Sequence, residues 1–341
     1  MKGVLGLAVC LGALGCGQKR YDGPRPPVPL RMLPDDSIWY QDISGAPVDA
    51  ESHTVIEGLG IRGGWGQGRM EVDFNLEVLT ADDSAPMLPF MPARGFYEPD
   101  CDLMPVPIPA GGAVEENPGY TCFSQGDCHL LVLHLPTRRL YEMWHADLTN
   151  GFFTGGCLAV WDQSHTYGPD GRGLNCTSAD AAGFPIAPLA FTSEEVAAGE
   201  IPHAIRFVLP NDRIRKGSYV APATHSTDVT AGAVDTPPYG ARFRLRADFP
   251  VDKLPEGPRV VARAMQKYGM FLADGGNIAL TARSDRFSTV KWNGPDGLLL
   301  SPTDLASLKV TDFEMIEGGP RVPWPGKCTR EQMVVMPTQA P

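Results

Sequence analysis

Glycine and proline recur along the whole chain and leave few stretches long enough for an extended helix. The 38 glycines and 33 prolines are about a fifth of the 341 residues. Glycine loses the most conformational freedom on folding and proline lacks a backbone N–H, so both punctuate secondary structure. They are spread evenly rather than gathered into one linker, and no internal repeat is visible. Such a chain is expected to fold as many short strands joined by turns.

The clearest strand signal runs from Met70 to Val78, where Met70, Val72, Phe74, Leu76 and Val78 alternate with Glu71, Asp73, Asn75 and Glu77. Ala241 to Phe249 repeats the pattern with Arg242, Arg244 and Arg246 on its polar side. A period of two sends alternate side chains to opposite faces of a sheet. His129–Leu135 and Arg138–His145 read as a hairpin turning at Pro136-Thr137. Leu158–Trp161, His203–Leu209, Ser218–Ala223 and Ile278–Ala282 are further strands. Helix signals are scarce. Thr192-Ser-Glu-Glu195 and Ser301-Pro-Thr-Asp304 carry capping-box patterns that open short helices, and Pro258–Tyr268 is the longest helical stretch. The expected fold is all-β, an antiparallel β-sandwich or jelly-roll with a few short helices, forming a single domain over residues 37–336.

Residues 1–16 have the layout of an export signal. Lys2 is followed by apolar Val4–Leu14 and then by Ala13-Leu14-Gly15-Cys16. The apolar run is too short to span a bilayer. Its end resembles the lipobox of bacterial lipoproteins, although Leu14 is bulkier than the residue usual there. That resemblance implies a lipidated Cys16, a lipid bilayer as partner through the N-terminal anchor, and a place in the bacterial cell envelope. Residues 17–36, with Pro24, Pro26, Pro27 and Pro29, read as a proline-rich tether.

Six cysteines follow: Cys101, Cys122, Cys128, Cys157, Cys176 and Cys328. An even number in an exported chain reads as a disulfide framework whose pairing stays open. No C-x-x-C or zinc-finger spacing occurs, so neither a metal site nor a cofactor is expected. A structural calcium ion is compatible with a sandwich, but no EF-hand-like spacing supports it. The net charge of -11 becomes -12 on loss of Lys2 with the signal. An acidic surface disfavours nucleic acid, because phosphate neutralisation needs clustered Lys and Arg.

No sharp catalytic motif is present: there is no G-x-S-x-G, H-E-x-x-H or P-loop. The glycines of Gly60–Gly68 precede a strand and read as a loop. The acidic strand (Glu71, Asp73, Glu77) and the basic one (Arg242, Arg244, Arg246) read first as solvated or cross-paired faces. The sharper alternative is a cleft in which the arginines grip an acidic sugar chain. Histidine is rare, so His129, His145, His203 and His225 draw notice. Tyr141 and Trp144, in Leu140-Tyr-Glu-Met-Trp-His145, add aromatic surface of a kind that stacks on sugar rings. Two further segments look like site loops. Cys176–Gly183 packs small residues around Asp180, and Tyr268–Asn277 carries Asp274 beside a Gly-Gly turn.

Several of these segments resemble a largely uncharacterised group of secreted bacterial proteins often found beside carbohydrate-binding modules. They are Thr177-Ser-Ala-Asp-Ala-Ala-Gly-Phe-Pro-Ile186, His203-Ala-Ile-Arg-Phe207, Ala223-Thr-His225, Pro238-Tyr-Gly-Ala-Arg-Phe-Arg-Leu245 and Lys267-Tyr-Gly-Met-Phe-Leu-Ala-Asp-Gly-Gly276, with Ser37–Ser44 and Leu140-Tyr-Glu142. The resemblance covers roughly residues 37–320 and implies an extracellular, glycan-related setting with no assigned catalytic residues. The expected function is cleavage of an extracellular polysaccharide. A hydrolase would use paired carboxylates, with Glu142 and Asp180 as candidates. A lyase, slightly favoured, would use His203 or His225 with Tyr268, helped by Arg206 and Asn277. Asp274 and Trp144 complete the substrate-binding set. The alternative is a non-catalytic glycan-binding or structural surface lipoprotein.

Overall fold

The computed structural model describes residues 19–124 and 126–335; the expected signal peptide and its Cys16 lie outside them. The described chain is mostly strand, in several sheets, with three α-helices. Ten strands make the two larger sheets. They are β1 (Val72–Leu76), β2 (Val78–Ala81), β3 (Leu130–His134), β4 (Arg139–Met143), β5 (Leu158–Asp162), β6 (Ile205–Leu209), β7 (Arg242–Leu245), β8 (Met270–Gly275), β9 (Leu280–Arg283) and β10 (Phe313–Ile316). The larger sheet has the order β1-β9-β6-β8-β7-β10, and the smaller has β5-β4-β3-β2. The pairing is mixed, not antiparallel throughout: β1 with β9, β6 with β8 and β2 with β3 are parallel. The β3–β4 hairpin forms where its turn residues predicted.

The large sheet and the helices share the main core, built around Phe207, Phe243, Met270, Leu272 and Val261. The small sheet obeys its period of two. Leu130, Val132, Tyr141, Met143 and Val160 face a second core. Leu131, Leu140, Ala159 and Trp161 face a third cluster, shared with Leu76 of β1 and with Ala179, Ile186 and Ala187. That third cluster is the seam between the two sheets.

Helix α1 (Ser52–Ile61) carries Gly58 and Gly60 and showed no clear sequence signal. Gly58 is required by contact, because a Cβ there would lie 2.1 Å from the Asp235 carbonyl oxygen. Helix α2 (Ser193–Ala198) starts with the predicted capping box: Thr192 accepts from the Glu195 amide, and the Glu195 carboxylate accepts from the Thr192 amide. Helix α3 (Glu256–Lys267) matches the predicted long helix within two residues. Three expectations fail. Residues 301–304 form turns, with the Ser301 amide donating to Asp304 at 3.1 Å. Residues 270–275 are a central strand and not a loop, since an unbroken apolar run buried on both faces lacks alternation. Residues 19–36 lie along the domain instead of standing off it. The Tyr21 amide donates to the Leu298 carbonyl at 3.0 Å, Arg20 pairs with Asp304 at 2.7 Å, and Leu33 is buried.

All six cysteines pair, as Cys101–Cys157, Cys122–Cys128 and Cys176–Cys328. Disulfides of this kind belong to oxidising compartments. Among the described residues no helix is long and apolar enough to cross a membrane. Beside Cys101, the fully buried Asp102 carboxylate accepts from Arg172 and Arg330, each at 2.6 Å, and from the Val160 amide at 2.9 Å. One carboxylate thus joins β5, the 170s loop and the C-terminal segment. Asp102→Ala would leave Arg172 buried without its counter-ion, and loss of one partner of such a pair costs about 3–5 kcal/mol. Urea unfolding of the disulfide-intact variant should show a loss of that size.

Candidate functional site

Pairing carries a row of side chains across the large sheet on one face. Asp73 of β1 lies opposite Thr281 of β9. Arg206 of β6 donates to the Thr281 hydroxyl at 2.6 Å and lies opposite Phe271 of β8. Phe271 in turn lies opposite Arg242 of β7. Asp274 joins this face through an irregularity in the β6–β8 ladder. Phe207 pairs with Leu272, but the next residue, Val208, pairs with Asp274. The extra residue, Ala273, swings Asp274 onto the side of Val208 and Arg206, the re-aiming that bulges provide.

The loop 176–187 lies over this row. Asp180, 1% exposed, accepts from Arg206 Nη2 at 2.6 Å. Asp274 accepts from the Ala181 amide at 3.3 Å. Asp180 is thus ion-paired with Arg206, while Asp274 lies near enough to feel the guanidinium without pairing with it. Burial pushes Asp180 up to about 7 against the pull of Arg206, and Asp274 adds to the rise. Burial also raises Asp274, with Arg206 opposing.

A second group comes from the cysteine-bearing segment 101–128 and the start of β3. His129 Nδ1 bonds Glu115 at 2.5 Å, and its Nε2 faces the Ala179 carbonyl at 3.1 Å. Burial alone would lower His129, but the Glu115 carboxylate overrides it and raises the imidazole to about 9. Asp73 sits beside the same segment. Burial raises its carboxyl to about 6, with repulsion from Glu115 and Glu116 adding to the effect. The strip continues outward through Asp127, which accepts from Trp144 Nε1 at 2.9 Å, and through His145, stacked on Trp144 at 3.7 Å between centroids. Asp73, half-buried with its carboxyl raised, thus stands near Glu115, which His129 clasps, and Trp144 lies further along, bonded to Asp127.

The sequence-derived candidates divide. Asp180, Arg206 and Asp274 meet, and His225 touches their loop, its Nδ1 at 2.9 Å from the Ala181 carbonyl and its ring edge-on to Trp324. Glu142 is fully buried, accepting from the Ile186 and Ala187 amides and from Trp161 Nε1, so it latches the loop to the small sheet and is closed to a substrate. His203 is buried in the connection from α2 to β6, with its two ring nitrogens facing Glu195 in the first turn of α2 and the Ala204 carbonyl. Tyr268 caps α3, 4% exposed. Asn277 is exposed in the bend after β8, with its carbonyl packed beneath Gly66. The basic strand forms no cleft. Arg242 donates to the Tyr268 and Gln41 carbonyls, Arg244 to Glu314 and the 43–46 backbone, and Arg246 to Asp248. Nor do the acidic and basic strands pair with each other, since Glu71 pairs with Arg69 and Glu77 with Arg286.

Among the described residues one group has metal-type ligands within reach of one another, Asp100, Cys176 and Cys328, but the disulfide removes its thiolates. Sequence reasoning missed Glu115 and passed over Asp73 and His129. Asp73 was visible as a strand acid. Nothing local to Glu115 marks it, because its partners come from residues 73 and 129.

Two pH tests follow from these shifts. Asp73 ionises near 3.8 when unfolded and about 6 when folded, so the fold loses stability as pH rises between those values and stays lower above them. Asp73→Asn should therefore raise the Tm by roughly 2–5 °C at pH 7.5 and by nothing at pH 3.5. For His129, raised from 6.5 to about 9, stabilisation is complete below 6.5 and lost as pH climbs through 9. An NMR titration of its ring should show a midpoint near 9 that falls in Glu115→Gln. Comparison of the chain with protein-family models, curated proteins and solved structures finds no match.

Proposed function

We propose that the chain is an exported, lipid-anchored hydrolase that cleaves glycosidic bonds outside the cell, using Asp73 as general acid and Glu115 as its ionised partner. The observation that carries this reading is a desolvated carboxyl beside a second, ion-paired one. Asp73 is desolvated, and it is further raised by the charge of Glu115, while Glu115 is held by His129. A raised acid beside a second carboxyl is the kind of pair that acid-base cleavage of a glycoside uses. Trp144, half-buried beside Asp127 with His145 against its ring, adds aromatic surface near this group. Arg206, Asp180 and Asp274 act beneath the pair as positioning groups. A lyase finds less support. Of its candidate groups, His203 and Tyr268 are buried, His225 is turned to the Ala181 carbonyl and Trp324, and Arg206 is committed to Asp180 and Thr281.

A second reading, a non-catalytic glycan-binding lipoprotein, draws on the closure of the Asp180–Arg206 pair, which leaves that pair unable to touch a ligand. The experiment is digestion of neutral and acidic polysaccharides by the disulfide-bonded chain, following new reducing ends and unsaturated products separately. Reducing ends without unsaturation, cut at least 100-fold by either Asp73→Asn or Glu115→Gln in folded protein, are the expected result. Unsaturated products would replace the hydrolase with a lyase, and binding without cleavage would leave the second reading.

A further inference from the structure

The segment carrying Glu115 runs beside residues 74–80. Its Glu116 amide meets the Asn75 carbonyl, and Gly112 packs against Leu79. At the Gly112 end this pair of segments opens into a groove of about 560 Å³, within the range of small-ligand sites. One wall is β2, the outermost strand of the small sheet. The other is the end of β9 with residues 284–289 and the start of α2. Arg283 stands two residues beyond Thr281 on β9, so groove and acid row share one strand.

The lining has a definite chemistry. Thr80, Ser284, Ser288 and Thr289 supply hydroxyls, and Phe287 presents a ring that is 51% exposed. Glu194 and Arg283 bring one charge of each sign, and Arg283 already donates to the Ala187 carbonyl. Pro29, Val78, Leu79, Pro109 and Ala110 add apolar surface. Hydroxyls, apolar surface and one half-exposed ring, with no net charge, match the mixed polar and C–H faces of a sugar chain. A polyanion would meet an acidic protein. We infer that this groove binds an extended stretch of a neutral, linear polysaccharide, with one sugar stacked on Phe287 and the chain leading toward Asp73 and Glu115. The inference rests on the hydrolase reading for the destination of the chain, but not for the binding itself.

The test is affinity electrophoresis and calorimetry of the full disulfide-bonded chain with soluble starch, hydroxyethyl cellulose and galactomannan. Wild type, Phe287→Ala and Thr80→Trp would be compared, the last filling the groove from the opposite wall. Phe287 is half exposed, so its truncation should leave the melting curve in place. At least one polymer should bind, and each substitution should weaken it about tenfold. Wild-type affinity in both folded variants, no binding to any of the polymers, or binding of an extended peptide in their place would overturn the inference. Cleavage with unchanged affinity in both variants would sink the groove and spare the hydrolase. Groove-dependent binding without cleavage would do the reverse.

Discussion

One buried guanidinium organises the centre of this molecule. Arg206 lies buried in the polar row of the large sheet, and its charge is met chiefly by Asp180, which reaches it from the loop above. An ion pair out of water adds little net stability, yet removing either partner is costly, so its effect is to fix one arrangement. The loop it fixes then serves every neighbour. The Ala179 carbonyl meets His129, Ala181 takes both Asp274 and His225, the Ala182 amide bonds Ala273, and the Ile186 and Ala187 amides fill Glu142. Cys176 at its start is tied to Cys328. The loop therefore sets the distance between the two sheets, and with it the position of the acid pair at their seam.

Charge balance gives that centre its second property. Asp180 and Asp274 stand near a single Arg206, two acids to one guanidinium, and burial raises both acids. In the second group the proportion is similar: Asp73 stands with Glu115 and Glu116 near His129. The two groups also sense each other, Arg206 feeling Glu115 and Asp274 feeling His129. A surplus of desolvated carboxylates is unfavourable for the fold and useful for proton transfer near neutral pH. The strain is concentrated where two independent cores meet, which leaves the apolar packing on either side undisturbed.

Much of the architecture was legible in the sequence because it rests on local signals. The hairpin of β3 and β4, the capping box at Thr192 and the amphipathic α3 each depend on residues within a dozen positions. The cysteine count implied disulfides without their pairing, since pairing is a property of the closed chain. Strand direction was not legible: the Met270–Ala273 run is apolar because β8 is covered on both faces, and it looked like part of a loop around Gly275-Gly276. Glycine misled in both directions, hiding α1 and marking turns that proved to be close contacts.

The site was half legible for the same reason. Asp180, Arg206 and Asp274 stand in segments whose composition is unusual, and the fold brings all three together. Glu142, in an equally distinctive segment, proved to be a buried latch, because a carboxylate that satisfies two amides and an indole is as constrained as a catalytic one. His203 was deceptive in the same way, since its imidazole is buried between the Glu195 carboxylate and the Ala204 carbonyl. What separates a latch from a site is the unmet demand of its polar atoms and their exposure. Glu142 has its demand met at zero exposure, whereas Asp73, bonded by Asn75 and the Phe74 amide, is still half-exposed and repelled by two neighbouring acids. That difference arises only when residues 73, 115 and 129 converge, so no window of sequence around any one of them could have carried it.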